Sequence, residues 1–242
     1  VRREARVLAV ASAAALAACG ETVGAHVDVA FYVQGSEARA VEIPGATLTL
    51  SEAQVSLGPL YLCATESAES ALCETALGER LDVLVIDALD GSATRMGELS
   101  ATTGTVRSAF FDYGLSWLLT KPGPTFAEGA RFKHSARLRF HAEGDDGSTL
   151  EVEADIDIAP LAPGDAAVNG RRTEQTLGKQ PLALTLALDA SVWLTRIRSE
   201  ELSALDEDGD GRVILPADSQ PYEAILQGMT AREPPRFLWS EE

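Results

Sequence analysis

Histidine, cysteine and methionine are scarce in this sequence, with three, three and two residues among 242. A serine hydrolase needs a histidine beside a serine on a sharp turn, and no GxSxG stretch is present. His26, His134 and His141 fall in strand-like contexts. The spacing of seven between the last two sends them to opposite faces of one extended strand, so they cannot easily chelate together. A copper site built from all three requires distant strands to converge. No CxxC pair and no glycine-rich phosphate loop after a strand occurs either. Basic residues are also few: 20 Lys and Arg against 37 Asp and Glu give a formal charge of −17. Nucleic acid is excluded as a partner, because phosphate binding is driven by Lys and Arg. Adsorption to anionic headgroups is equally disfavoured. Aromatic residues make up 6 % of the chain, leaving few rings to spare from packing. Phe110, Phe111, Tyr113 and Trp117 therefore read as core, with Phe111, Tyr113 and Trp117 on one strand face, rather than as an exposed sugar platform. Trp193 and Trp239 are open to both readings.

No apolar stretch approaches the ~20 residues that a membrane-spanning helix needs. The longest, Val7 to Ala18, is broken only by Ser12 and follows Arg2, Arg3 and Arg6. Residues 1–18 read as an export signal. Leu16-Ala17-Ala18-Cys19 resembles the bacterial lipobox, and that resemblance implies cleavage before Cys19 and a diacylglycerol on its sulfur. The mature chain would begin at Cys19. Losing three arginines and one glutamate (+2) takes the charge from −17 to −19. Its expected place is the bacterial cell envelope, anchored through the lipid at the outer membrane, the periplasmic face or the cell surface. Gly20 is not the aspartate that retains some lipoproteins at the inner membrane.

With Cys19 given to lipid, Cys63 and Cys73 remain. They flank the polar stretch ATESAESAL. In an oxidising compartment they should pair and staple that loop.

The body of the chain shows period-two patterning. Val27, Val29, Phe31 and Val33 alternate with Asp28, Ala30 and Tyr32, and Leu182, Leu184, Leu186 and Leu188 alternate with smaller residues. Residues 46–62, 82–89, 104–119, 134–144 and 149–159 are further strand candidates, and Glu143 to Gly147 reads as a hairpin turn. The absence of βα alternation predicts a mainly β fold, an antiparallel β-sandwich with a short C-terminal helix–loop–helix. Pro160 to Pro181 reads as one long polar connection. The expected organisation is a signal over 1–18, a sandwich over 19–198, and a C-terminal segment over 199–242 packed on the same domain.

In that segment Ser199, Glu200 and Glu201 suit a first helical turn, and Pro221 opens a second helix that Gly228 can close. Between them lies LDEDGDGRVIL, residues 205–215. Asp206, Asp208 and Asp210 occupy positions 1, 3 and 5 of a DxDxDG pattern, Gly211 position 6 and Val213 position 8. The loop resembles the first part of an EF-hand or dockerin calcium loop. Alternate carboxylates on a tightly coiled loop can meet the six to eight oxygens that Ca²⁺ requires. The resemblance assigns Arg212 a backbone carbonyl ligand. Position 12 departs from it, being Ala217 after Pro216; Asp218, Glu200, Glu201, another segment or water would close the sphere. Oxygen ligands without His or Cys set zinc and copper aside at this loop.

Together these features indicate a lipid-anchored, non-catalytic binding or scaffolding lipoprotein with a structural calcium ion and a protein or carbohydrate partner. Two other classes fit the same compartment. An exported hydrolase acting on a polymeric or carbohydrate substrate would show close, perturbed carboxylates in a cleft. A copper-handling periplasmic lipoprotein would bring His26, His134 and His141 together.

Overall fold

A computed structural model describes residues 24–66, 73 and 76–242. The expected signal 1–18 and Cys19 lie outside the described residues. In chain order the strands are β1 His26–Gln34, β2 Ala40–Ile43, β3 Ala46–Leu57, β4 Leu60–Cys63, β5 Ala76–Arg80, β6 Leu84–Asp87, β7 Thr94–Thr102 and β8 Gly104–Phe111. They continue as β9 Leu115–Ser116, β10 Thr125–Phe126, β11 Ala136–Gly144, β12 Thr149–Ile156, β13 Val168–Leu177, β14 Leu182–Ala187, β15 Arg212–Ile214 and β16 Arg236–Glu241. Two helices, α1 Ser199–Ser203 and α2 Gln220–Gln227, flank the acidic loop.

The fold is the mainly β, antiparallel-rich sandwich that alternation indicates. One sheet has the order β13-β8-β4-β5-β7-β1-β14-β16, and the other runs β15-β12-β11-β3-β2, with β6 also on β3. Inward residues alternate along β11 and β12: Leu138, Phe140 and Ala142 on β11 and Val152, Ala154 and Ile156 on β12 are buried, and Val29, Phe31 and Val33 of β1 belong to the same core from the other sheet. On β3 the alternation slips by one between Leu50 and Ala53, where the pairing with β11 shifts between Arg139 and Phe140. A bulge therefore keeps both halves of a long strand facing the core. The 143–147 turn forms as expected: Gly144 N–H donates to Ser148 O, and Gly147 takes φ +83°.

Four expectations need correction. Pro160–Pro181 is not one connection, because Val168–Leu177 forms β13 at the edge of the eight-stranded sheet. An edge strand solvated over much of its length carries polar residues on both faces, which erases the period-two signal. Two pairings are parallel, β1 with β14 and β12 with β15. Gly228 does not close α2; at φ −55° it leads into a π-helical turn, Gly228–Arg232. Trp117 is half-buried rather than core, whereas Phe110, Phe111, Tyr113 and Trp193 are buried. Phe110 belongs to a small second cluster with Cys63 and Cys73, which are joined by a disulfide.

The C-terminal segment supplies an edge strand to each sheet and is tied down by aromatic hydroxyl and indole groups. Tyr113 Oη–H donates to Met229 O at 2.8 Å, Trp193 Nε1–H donates to Glu233 O at 2.9 Å, and Tyr222 Oη accepts from Asp157 N–H at 2.8 Å. Each bond removes the penalty of a buried polar tip while the ring fills the core.

Candidate metal site

The acidic loop turns where its glycines allow it. Gly209 and Gly211 take φ +70° and +77°, conformations that cost an L side chain strain. Backbone N–H groups of the loop donate to its own carboxylates: Asp210 to Asp208 Oδ1, Gly211 to Asp206 Oδ2, and Arg212 to Asp210 Oδ1 at 2.8 Å. These bonds coil the chain so that Asp206, Asp208 and Asp210 each offer an oxygen within 4.8 Å of the others. One cation with metal–oxygen distances near 2.4 Å can span such a set. Asp206 Oδ1 is buried with no hydrogen-bond partner, a costly state for a carboxylate oxygen unless a cation completes it. Asp218, Glu200 and Glu201 are not in this group; Asp218 is exposed, and Glu201 pairs loosely with Arg198.

The loop's exit strand fixes it to the sandwich. Val213 and Leu215 are buried, and β15 pairs in parallel with Glu151, Val152 and Glu153 of β12. Glu151 N–H donates to Gly211 O and Leu215 N–H to Glu153 O. Those bonds engage odd-numbered residues of the exit segment, so the backbone groups of Arg212 face away from β12, toward the loop side. That leaves the Arg212 carbonyl free of the β12 ladder. Beside the loop lies a groove of about 600 Å³, lined by Arg139, Glu151, Glu153, Asp208, Asp210 and Arg212 among others. Its mixed charges offer donors and acceptors to a polar ligand.

The groove continues onto the outer face of the six-stranded sheet, where charge pairs stand in register. Arg137 forks onto Asp155 at 2.7 and 2.8 Å, Arg139 reaches Glu153 at 3.1 Å, and His141 Nδ1 lies 3.0 Å from Glu151. The Arg137 guanidinium holds the Asp155 carboxyl below its usual range. His134 precedes β11 rather than lying in it, so strand alternation does not place it. Its ring lies against Asp157 at 2.9 Å and Asp155 at 3.5 Å, on the same outer face as His141. His26 pairs with Asp28 on the other sheet. Among the described residues no three-ligand group includes a histidine.

Asp112 was not legible as special. It is buried, its Oδ1 accepts from Ala167 N–H at 2.7 Å, and Ser116 Oγ–H donates to Oδ2 at 2.9 Å. Burial pushes its carboxyl up to about 6, against the pull of those two bonds. The available signal was a lone acid inside the apolar run Ala109–Tyr113. Both oxygens serve to clasp two loops, one from β9 and one leading into β13.

No family model and no curated protein matches the chain. Among solved structures the chain is similar to "MbnP from Methylosinus trichosporium", at 13 % identity over 89 % of this chain and 98 % of that chain, with a TM-score of 0.40.

Proposed function

We propose that this chain is an exported, lipid-anchored binding or scaffolding protein of the bacterial cell envelope, non-catalytic, in which calcium locks the C-terminal helix–loop–helix onto the sandwich. Asp206, Asp208 and Asp210 supply carboxylate oxygens and Arg212 its carbonyl, with Asp218 or water completing the sphere. The observation that carries the reading is the convergence of the three carboxylates around the unpartnered Asp206 Oδ1, in a loop whose next three residues are a strand of the six-stranded sheet. The Cys63–Cys73 disulfide suits an oxidising compartment. The mixed-charge groove beside the loop is the face for a polar protein or carbohydrate partner.

Ligand linkage tests the metal. Calcium a hundredfold above Kd should stabilise the fold by ~2.7 kcal/mol. An incomplete position 12 puts Kd at roughly 0.1–1 mM, the range of extracellular modules. Thermal melts with calcium and with EDTA, on wild type and Asp208→Ala, should show a calcium-dependent rise only in the wild type. If millimolar calcium leaves the wild-type Tm and heat of mixing unchanged, the loop is a solvated turn. Lipidation is tested separately: Cys19→Ser should release the protein from detergent-phase fractions or leave it unprocessed.

A further inference from the structure

Strand directions sort the eight-stranded sheet into two ends. His26 of β1 pairs with Thr102 of β7, Gly104 of β8 pairs with Leu177 of β13, and Glu241 of β16 pairs with Leu182 of β14. One end therefore gathers Gly24–His26, Thr102–Gly104, Leu177–Leu182 and Glu241–Glu242. Ala25 is pinned there by reciprocal bonds with Thr103, 3.0 Å to Oγ1 and 2.8 Å from its N–H. At the other end β8 finishes at Phe111 and β13 begins at Val168, about 23 Å away along β8. Beyond them the two loops clasped by Asp112 project Leu118, Leu119 and Leu161, which are 56 %, 80 % and 95 % exposed. Gly164 N–H donates to Trp117 O at 2.7 Å and joins the two loops.

We propose that the end carrying Ala25, Lys179 and Glu242 is the surface that faces the lipid bilayer, and that the Leu118–Leu119–Leu161 tip is held away from it. This rests on the reading of Cys19 as the lipid anchor. Five residues from Cys19 to Gly24 span at most about 18 Å, so the pinned end cannot leave the headgroups by more than that. The outer face of the six-stranded sheet sets Glu52, Glu151, Glu153 and Asp155 against Arg137 and Arg139, an excess of acid, and the chain from Cys19, at −19, is repelled by anionic headgroups if it lies flat. Standing upright separates that face from the membrane. The apolar tip is then held out of reach of the bilayer that anchors the chain.

The test uses the chain from Cys19 with the disulfide intact, so that Cys19 is the free thiol and can be coupled chemically to a maleimide lipid. A fluorophore is installed through a non-natural residue at position 179 or at position 119, in phosphatidylethanolamine–phosphatidylglycerol vesicles containing headgroup-nitroxide lipid. Quenching at least twofold stronger at 179 than at 119 is expected. Equal quenching, or stronger quenching at 119, overturns the orientation. Because the lipid is attached chemically, this outcome is independent of processing in the host. Mass spectrometry of native protein with an intact 18–19 bond overturns the anchor itself.

Discussion

The indole Nε1–H of Trp239 donates to Thr173 Oγ1 at 2.8 Å, linking the two outermost strands of the eight-stranded sheet, β16 and β13. On the same strand as Trp239, Phe237 packs on Phe111 with ring centroids 6.0 Å apart. The sheet thus curls until its free edges touch through side chains. Trp239→Phe keeps an aromatic ring and loses the bond, so it should cost about 1 kcal/mol. Trp239→Ala also removes a half-buried ring and should cost about 2–3 kcal/mol, below the value for a full core position. Urea midpoints of the two variants give the comparison.

Asp112 makes stability depend on pH in an uncommon direction. A carboxyl held above its ordinary value in the folded state takes up its proton before the unfolded chain does. Its burial therefore costs stability above pH 6, and the cost fades as pH falls toward 3.8. Raising an acid from 3.8 to about 6 costs about 3 kcal/mol at neutral pH. Asp112→Asn preserves an acceptor for Ala167 N–H and a partner for Ser116 without the charge. Relative to that variant, the wild type should gain about 1.4 kcal/mol between pH 7.5 and pH 5 in urea titrations. A difference that does not change with pH would contradict the buried charge.

Gly228→Ala sets two effects against each other. The residue is helical, so alanine gains up to about 1 kcal/mol of propensity. Its Cβ, however, would stand 2.9 Å from Trp193 Cα and 3.1 Å from Trp193 O, both backbone atoms that cannot swing aside. Overpacking of that kind costs about 1–3 kcal/mol, so the variant should be less stable. A lower Tm with unchanged calcium response is the expected result.

Reduction of Cys63–Cys73 should lower stability by at most about 3 kcal/mol, the loop between them being short. Both sulfurs are held in the S–S bond, which survives unfolding, so thiol labelling without reductant should fail at both positions in native and urea-unfolded protein alike.

Strands with large apolar side chains on one face announced themselves. β11 and β12 alternate cleanly because one side meets the core and the other water; β1 and β14 alternate in sequence, although the small Ala30, Ala183 and Ala187 on their other faces are buried as well. β13 did not, since Arg171, Arg172, Glu174 and Gln175 put charge or polarity on both sides of an edge. Neither parallel pairing was readable: β1 meets β14 across some 150 residues, and nothing local encodes which strand returns beside it. The acidic loop was legible because Asp206, Asp208, Asp210 and Gly211 form a local pattern. Its attachment to β12 was not, because Val213 reads as one apolar residue until Val152 is placed opposite it. Asp112 depends on Ala167, 55 residues away, and a burial that sequence spacing does not report.

The last strand of each sheet comes from the last part of the chain: β15 seats against β12, and β16 against β14. A polypeptide threading through a membrane from its N-terminus arrives with those two seats vacant. Until residues 212–241 emerge, β12 and β14 offer bare rows of peptide groups to any neighbouring molecule in the same state. If the chain is exported as proposed, its surplus of acid over base would act as a chaperone in transit. Repulsion between chains so rich in acid would keep half-built sheets apart for the interval in which they are most able to pair with one another.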